Sequence, residues 1–240
     1  MAENIVEVDQ LVKQFKTVTA LDHVSVSSEK GKIHGIIGRN GSGKTVLFKC
    51  ICGFMQPTEG TVLVEGRPVE PSAAQNIGII IEDPGFIPSI SAFKNLKLLA
   101  SIRRVVSDDE IRAVIARVGL DPESKKHVGK FSLGMRHRLG IAQAIMEKPR
   151  LLIMDEPFNG LDASGVEDVR QLLSSLVKEG TTMLLASHNA QDLSLLCGRI
   201  CTMEAGVLTP PQPEDEKQAQ EKSASAAQST ADEARNGEEK

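Results

Sequence analysis

The stretch Gly38-Arg39-Asn40-Gly41-Ser42-Gly43-Lys44-Thr45 constrains the fold more than any other part of the chain. Its glycine spacing and its closing Lys-Thr pair are what a loop needs to wrap a polyphosphate. The flanks fit that reading: Ile33-His34-Gly35-Ile36-Ile37 before it has the character of a buried strand, and Val46-Leu47-Phe48 opens a helix after it. Strand, loop and helix in this order make the P-loop arrangement. Glycines let successive backbone N–H groups face one point, and the helix N-terminus adds partial positive charge there. Lys44 is then expected to reach the β/γ-phosphates, and the Thr45 hydroxyl to hold Mg²⁺.

A chain of 240 residues with 40% hydrophobic content can bury a sizeable core. No apolar run approaches the roughly 20 residues needed to span a bilayer, and Met1-Ala2-Glu3-Asn4 lacks the basic-then-apolar order of a signal peptide. A cytoplasmic location is expected. The net charge of −4 is concentrated in Thr209–Lys240, whose eight acids outnumber four bases, so residues 1–208 are electrically balanced. Balance of this kind argues against a nucleic-acid partner, which calls for a basic stripe. Cys50, Cys52, Cys197 and Cys201 have neither zinc-site spacing nor an oxidising context, and are read as free thiols. From Thr209 on, Pro, Gln, Glu, Ala, Ser and Lys dominate without an aromatic, which predicts a disordered tail over 209–240.

Along residues 1–208 the periodicity changes twice. Ile5–Val8 and Val24–Val26 alternate as half-buried antiparallel strands do, with Thr61–Val64 as a third strand. Phe15, between the first two, either packs on this sheet or stacks on a nucleobase. Residues 89–148 switch to a 3.6 period: Ser91 caps a helix expected to carry Phe93, Leu96, Leu99 and Ile102 inward, and Ser107–Glu110 forms a capping box for the next. A third helix follows Ser132 and is expected to run to about Lys148, before Pro149. This is a helical insertion, about residues 84–148, in an otherwise α/β chain.

Three buried strands deliver polar groups to one sheet edge. Ile77–Ile81 ends in Glu82 and Asp83, Leu151–Met154 ends in Asp155 and Glu156, and Thr182–Ser187 ends in His188. Phosphoryl transfer needs a cradle, a metal, a group that orients the nucleophile and charge stabilisation. Gly38, Arg39, Asn40, Gly41, Ser42, Gly43 and Lys44 supply the cradle. Thr45 and Asp155 suit Mg²⁺, a small hard ion that keeps several waters. Glu156 is placed to orient or deprotonate the attacking water, and His188 to bridge it to the γ-phosphate. Alone, His188 reads as a satisfied loop histidine; beside the other two strand ends it reads as part of the site.

Ser132-Leu133-Gly134-Met135 at a helix start is left over by that scheme. With it, the chain resembles the nucleotide-binding subunit of ABC transporters over nearly all of residues 3–208. Gly38–Thr45 is similar to Walker A, Leu151–Glu156 to Walker B, Ser132–Arg136 to the family signature and Asn159–Asp162 to the D-loop. His188 falls on the switch histidine, Phe15 on the base-stacking aromatic and Glu82 on the Q-loop glutamine. The resemblance implies an α/β P-loop NTPase with an N-terminal antiparallel β subdomain and an inserted helical subdomain. It also implies ATP and Mg²⁺ as cofactor set, with Glu82 as a metal-binding and catalytic-site residue and Asp162 among the nucleotide contacts. Two such domains would sandwich two ATP molecules, with Ser132 and Gly134 reaching the γ-phosphate bound by the facing copy.

Leu133, Met135 and Glu82 depart from the commonest family residues; Asp83 competes with Glu82 for its role. The combination resembles the bacitracin and lantibiotic resistance branch, in which the ATPase chain serves separate transmembrane permease subunits at the inner membrane face. The expected activity is ATP hydrolysis that powers export of a peptide antibiotic or other amphipathic compound. The alternatives are a soluble non-transport ABC ATPase and an ATP-gated regulatory subunit of a membrane complex.

Overall fold

A computed structural model describes residues 3–70, 76–82 and 84–211. The expectations for Asp83, and for the tail from residue 212 on, lie outside the described residues.

The chain opens with an antiparallel pair, β1 (Asn4–Phe15) and β2 (Val18–Glu29), followed by β3 (Ile33–Ile37) and helix α1 (Lys44–Ile51). β4 (Glu59–Val64) and β5 (Arg67–Pro68) complete a four-stranded sheet in the order β2-β1-β4-β5. β1 and β2 are longer than the sequence pattern indicates. Gln10 and His23 take left-handed φ of 45° and 48°, and the β1/β2 register slips between Val8 and Leu11. Each slip moves the following side chains to the other face, so a 12-residue strand loses its period-2 pattern.

Next come β6 (Ile77–Ile80), then α2 (Ala92–Arg103), α3 (Asp108–Arg117) and α4 (Leu133–Ile145). Their caps are those the sequence indicates. The Lys94 N–H donates to Ser91 Oγ, Ser107 and Glu110 form the reciprocal box, and the Met135 N–H donates to Ser132 Oγ. Two expectations are corrected here. Ile102 is 77% exposed, because the core face of α2 runs through Ala92, Leu96 and Ala100 and Ile102 falls off that face. α4 stops at Ile145 rather than Lys148, where the chain turns through a φ of 52° before Pro149.

The remaining elements are β7 (Leu151–Asp155), α5 (Ala163–Lys178), β8 (Thr182–Ser187), α6 (Ala190–Ser194), β9 (Arg199–Glu204) and β10 (Val207–Thr209). The central sheet runs β10-β9-β3-β8-β7-β6, parallel except for β10.

Strand alternation divides the interior in two. Leu152, Met154, Met183 and Leu185 face a cluster with Leu96, Ile111, Ile115, Leu139 and Ile141 of the helical segment. Leu151, Ile153, Leu184 and Ala186 face the other way, onto Leu47, Phe48 and Ile51 of α1 and Leu11 and Leu21 of the antiparallel sheet. β7 and β8 are thus apolar on both faces, the pattern a parallel central strand requires. α4 lies directly on the edge strand: a Cβ at Gly78 would sit 2.2 Å from the Ala144 carbonyl oxygen, so only glycine allows the approach.

Candidate functional site

β3, β8, β7 and β6 are consecutive neighbours and parallel, so their carboxyl ends form one rim. Loop 38–43 leaves the end of β3 there and feeds α1. A cavity of about 300 Å³ on this rim is lined by Asn40, Gly41, Ser42, Gly43, Lys44, Thr45, Asp155 and Glu156, with Ala20 of β2 and Val46.

Gly43 shapes the loop. It has φ 115°, and a Cβ there would lie 2.7 Å from the Ala20 carbonyl oxygen. As the residue before α1 it offers no side chain to cap the helix, so the first-turn N–H groups have no side-chain acceptor and the positive helix end faces the cavity. Lys44 is 5% exposed, its ammonium donating to the carbonyls of Gly38 at 2.6 Å and Arg39 at 3.2 Å. Ser42 Oγ is buried and has no hydrogen-bond partner among the described residues. A buried hydroxyl without a partner, an uncapped helix end and a buried lysine together fit a polyphosphate anion.

Thr45 and Asp155 meet across the cavity floor, the Thr45 hydroxyl donating to Asp155 Oδ2 at 2.5 Å. Burial pushes the Asp155 carboxyl above its ordinary range; the Thr45 hydroxyl and the Lys44 charge pull the other way without winning. Among the described residues no three His, Cys, Asp or Glu side chains gather as a closed metal site. One hydroxyl and one strand-end carboxylate match instead the donor set of Mg²⁺, which is completed by phosphate oxygens and water.

Glu156 follows β7 with a left-handed φ of 51°, and its N–H donates to the Ala186 carbonyl. This turn sends Glu156 toward β8. Its Oε2 accepts from Ser187 Oγ at 3.1 Å, and its Oε1 accepts from the His188 backbone N–H at 2.9 Å and lies 2.8 Å from His188 Nδ1. A carboxylate only accepts, so Nδ1 carries the proton of that contact. A non-glycine residue in the left-handed region at such a point marks a constrained position.

The other sequence-derived candidates are distributed more widely. Glu82 follows β6, two residues past its end, with φ 64°, and its carboxylate pairs with Lys49 of α1 at 2.6 Å instead of lining the cavity. Phe15 pairs with Val18 at the tip of the β1–β2 hairpin, 43% exposed, with the Lys13 ammonium 5.1 Å over its ring. It is not among the residues that wall the cavity; its pairing partner Val18 stands two strand positions from Ala20, which is. Ser132 and Gly134 at the start of α4 are not among the cavity residues; Gly134 lies beside Gly160 and Leu161 instead. Asp162 Oδ1 accepts from the Gly165 N–H and caps α5. Arg39 contributes its backbone carbonyl to Lys44.

Three contributors were not singled out from the sequence. Ser187 is a polar last residue on an otherwise apolar strand, a signal that was readable. Lys49 stands one helical turn after Thr45, which periodicity also shows. Ala20 gave none.

Comparison with known proteins agrees with this geometry. The family model described as ABC transporter matches residues 21–159. The chain is 42% identical over 206 residues to an uncharacterised ABC transporter ATP-binding protein, YybJ, of Bacillus subtilis (strain 168), covering 85% of this chain and 94% of that one. It is 39% identical over 210 residues to the bacitracin transport ATP-binding protein BcrA of Enterococcus faecalis, covering 86% and 68% respectively. Among solved structures, cbiO1 of Clostridium perfringens, part of the ABC transporter complex cbiONQ, aligns with a TM-score of 0.78 at 26% identity over 92% of each chain.

Proposed function

The chain belongs to the ABC transporter family of ATP-binding proteins, and from that premise we propose that it hydrolyses Mg·ATP to drive export of a peptide antibiotic or similar amphipathic compound through separate membrane subunits. One observation carries the reading: Thr45–Asp155 and Glu156–His188 meet on the rim that also holds the phosphate loop. In this reading the loop amides and Lys44 bind the β/γ-phosphates, and Phe15 offers an exposed ring for the adenine. Thr45 and Asp155 would hold Mg²⁺, which when bound would supply charge neutralisation at the phosphate oxygens.

Glu156 takes the proton of the attacking water, or orients that water. Ser187 and the His188 backbone fix the carboxylate, and the His188 ring shares its Oε1. Ser132 and Gly134 lie away from this cavity at an N-terminal helix end, so the arrangement favours a second copy that brings them to the γ-phosphate. Asp162, at the cap of α5, stands next to Leu161 on that same surface. Residues 1–208 act as one ATP-binding unit in which about 84–148 form the helical insertion.

A membrane partner is supported by a groove of about 590 Å³ beside edge strand β6, with exposed Phe54 and Ile102 and with Glu82 at its wall. No described helix is long and apolar enough to cross a membrane, and in this reading separate membrane subunits form the path. The likeness to BcrA supports a bacitracin-type peptide as cargo. Tagged full-length chain is expected to recover integral membrane proteins from detergent extracts and to release phosphate from ATP only with Mg²⁺. Recovery of ribosomes without membrane proteins would overturn the transport assignment.

A further inference from the structure

Beside the phosphate loop's helix lies an ion pair with no part in the proposed reaction. Lys49 Nζ lies 2.6 Å from Glu82 Oε1, the lysine side chain 30% and the glutamate side chain 68% exposed. Lys49 stands one helical turn after Thr45, so α1 presents both residues on one face. Through Thr45 that face holds the end of β7 at Asp155, and through Lys49 it holds the end of neighbouring β6 at Glu82. Glu82 also carries a left-handed φ of 64°, which costs backbone energy that a change of position can release.

We propose that Lys49 is a positioning residue for Glu82, holding its carboxylate against α1 and away from the Thr45–Asp155 pair until a bound divalent cation draws it across. A half-exposed pair is weak enough to be displaced in this way. A glutamine at position 82 could hydrogen-bond Lys49 but could not form the ion pair, so the device depends on the carboxylate. Because Lys49 and Glu82 also line the groove beside β6, a partner seated there would bear on the same contact. The inference rests on the Mg·ATP reading.

Carbodiimide coupling joins an amine to a carboxylate without a spacer, and peptide mass spectrometry reads the Lys49–Glu82 product in the full chain. The crosslink is expected without nucleotide, to persist with ATPγS in EDTA, and to fall several-fold with Mg²⁺ and ATPγS. Equilibrium dialysis measures nucleotide binding in the same samples. If nucleotide binds and the yield is unchanged, the positioning role is overturned while the ATP reading stands; if no nucleotide binds, both fall. Lys49→Met is expected to lower several-fold the Mg²⁺ concentration that half-saturates nucleotide binding, and to have no such effect in a Glu82→Gln background. A Lys49→Met chain with lowered Tm but an unmoved Mg²⁺ titration would show a merely structural lysine and overturn the proposal.

Discussion

Glu156 Oε1 is shared by two atoms of one residue, the His188 backbone N–H at 2.9 Å and the His188 Nδ1 at 2.8 Å. The side chain is therefore oriented by a backbone that cannot rotate away. Glu156→Gln keeps an acceptor at that oxygen and removes the base. It is expected to bind ATP normally, to keep its Tm and to lose about 10²–10⁴-fold in turnover. Steady-state phosphate release beside nucleotide binding checks this; near-normal turnover would remove Glu156 from the mechanism.

Asp155 gives a pH prediction. Burial raises its carboxyl above the ordinary range, so the folded chain holds that proton more tightly than the unfolded chain does. The stability this contributes is present at acidic pH below the ordinary carboxylate value and is lost as pH rises through the raised folded-state value. Asp155→Asn is expected to raise the Tm of nucleotide-free protein at neutral pH and to give no gain in acid. It should also abolish the extra stabilisation that Mg²⁺ adds to ATP. A lower Tm at neutral pH would contradict the sign.

Ser132 caps α4 and, in the dimer reading, also faces the other copy. Ser132→Ala should cost about 1 kcal/mol of stability through the lost cap. Ser132→Arg should in addition block the ATP-dependent dimer that the Glu156→Gln chain accumulates. Light scattering after gel filtration, with and without ATP, separates the two effects; a dimer formed by the Ser132→Arg, Glu156→Gln chain would sink the shared-site model.

Phe15 is half-exposed at a hairpin tip, where truncation removes little packing. Phe15→Ala is expected to leave unfolding unchanged and to weaken ATP binding by about 1–3 kcal/mol, the range for aromatic stacking on a base. Affinity for inorganic triphosphate, which has no base, should not move. A parallel loss for both ligands would assign the ring a structural role.

The parts of the site legible in the sequence were those written in local geometry. Gly38–Thr45 announces its turn by glycine spacing, Ser91, Ser107 and Ser132 announce helix starts, and Leu151–Glu156 announces a buried strand ending in acids. What stayed hidden depends on contacts between distant segments or on irregular backbone. The register slips of β1 and β2 erased the alternation that would have revealed their length. Ile102 was expected on the inward helical face, yet the buried face of α2 runs through Ala92, Leu96 and Ala100 and leaves Ile102 outside. The acids were found as residues, but their allegiances were not: Glu82 turns to Lys49, 33 positions earlier, and Asp162 is engaged in capping its own helix.

The bare backbone at Gly78 has a mechanical meaning. With no side chain between them, the Ala144 end of α4 and edge strand β6 lie in backbone contact, so a shift of the strand bears directly on the helix. α4 is 13 residues long, about 20 Å at 1.5 Å per residue, and Ser132 rides at its far end. Glu82 sits two residues past the strand that α4 touches. In the proposed dimer, a partner pressing on the groove beside β6 would therefore act, along that length, on the surface that meets the other copy.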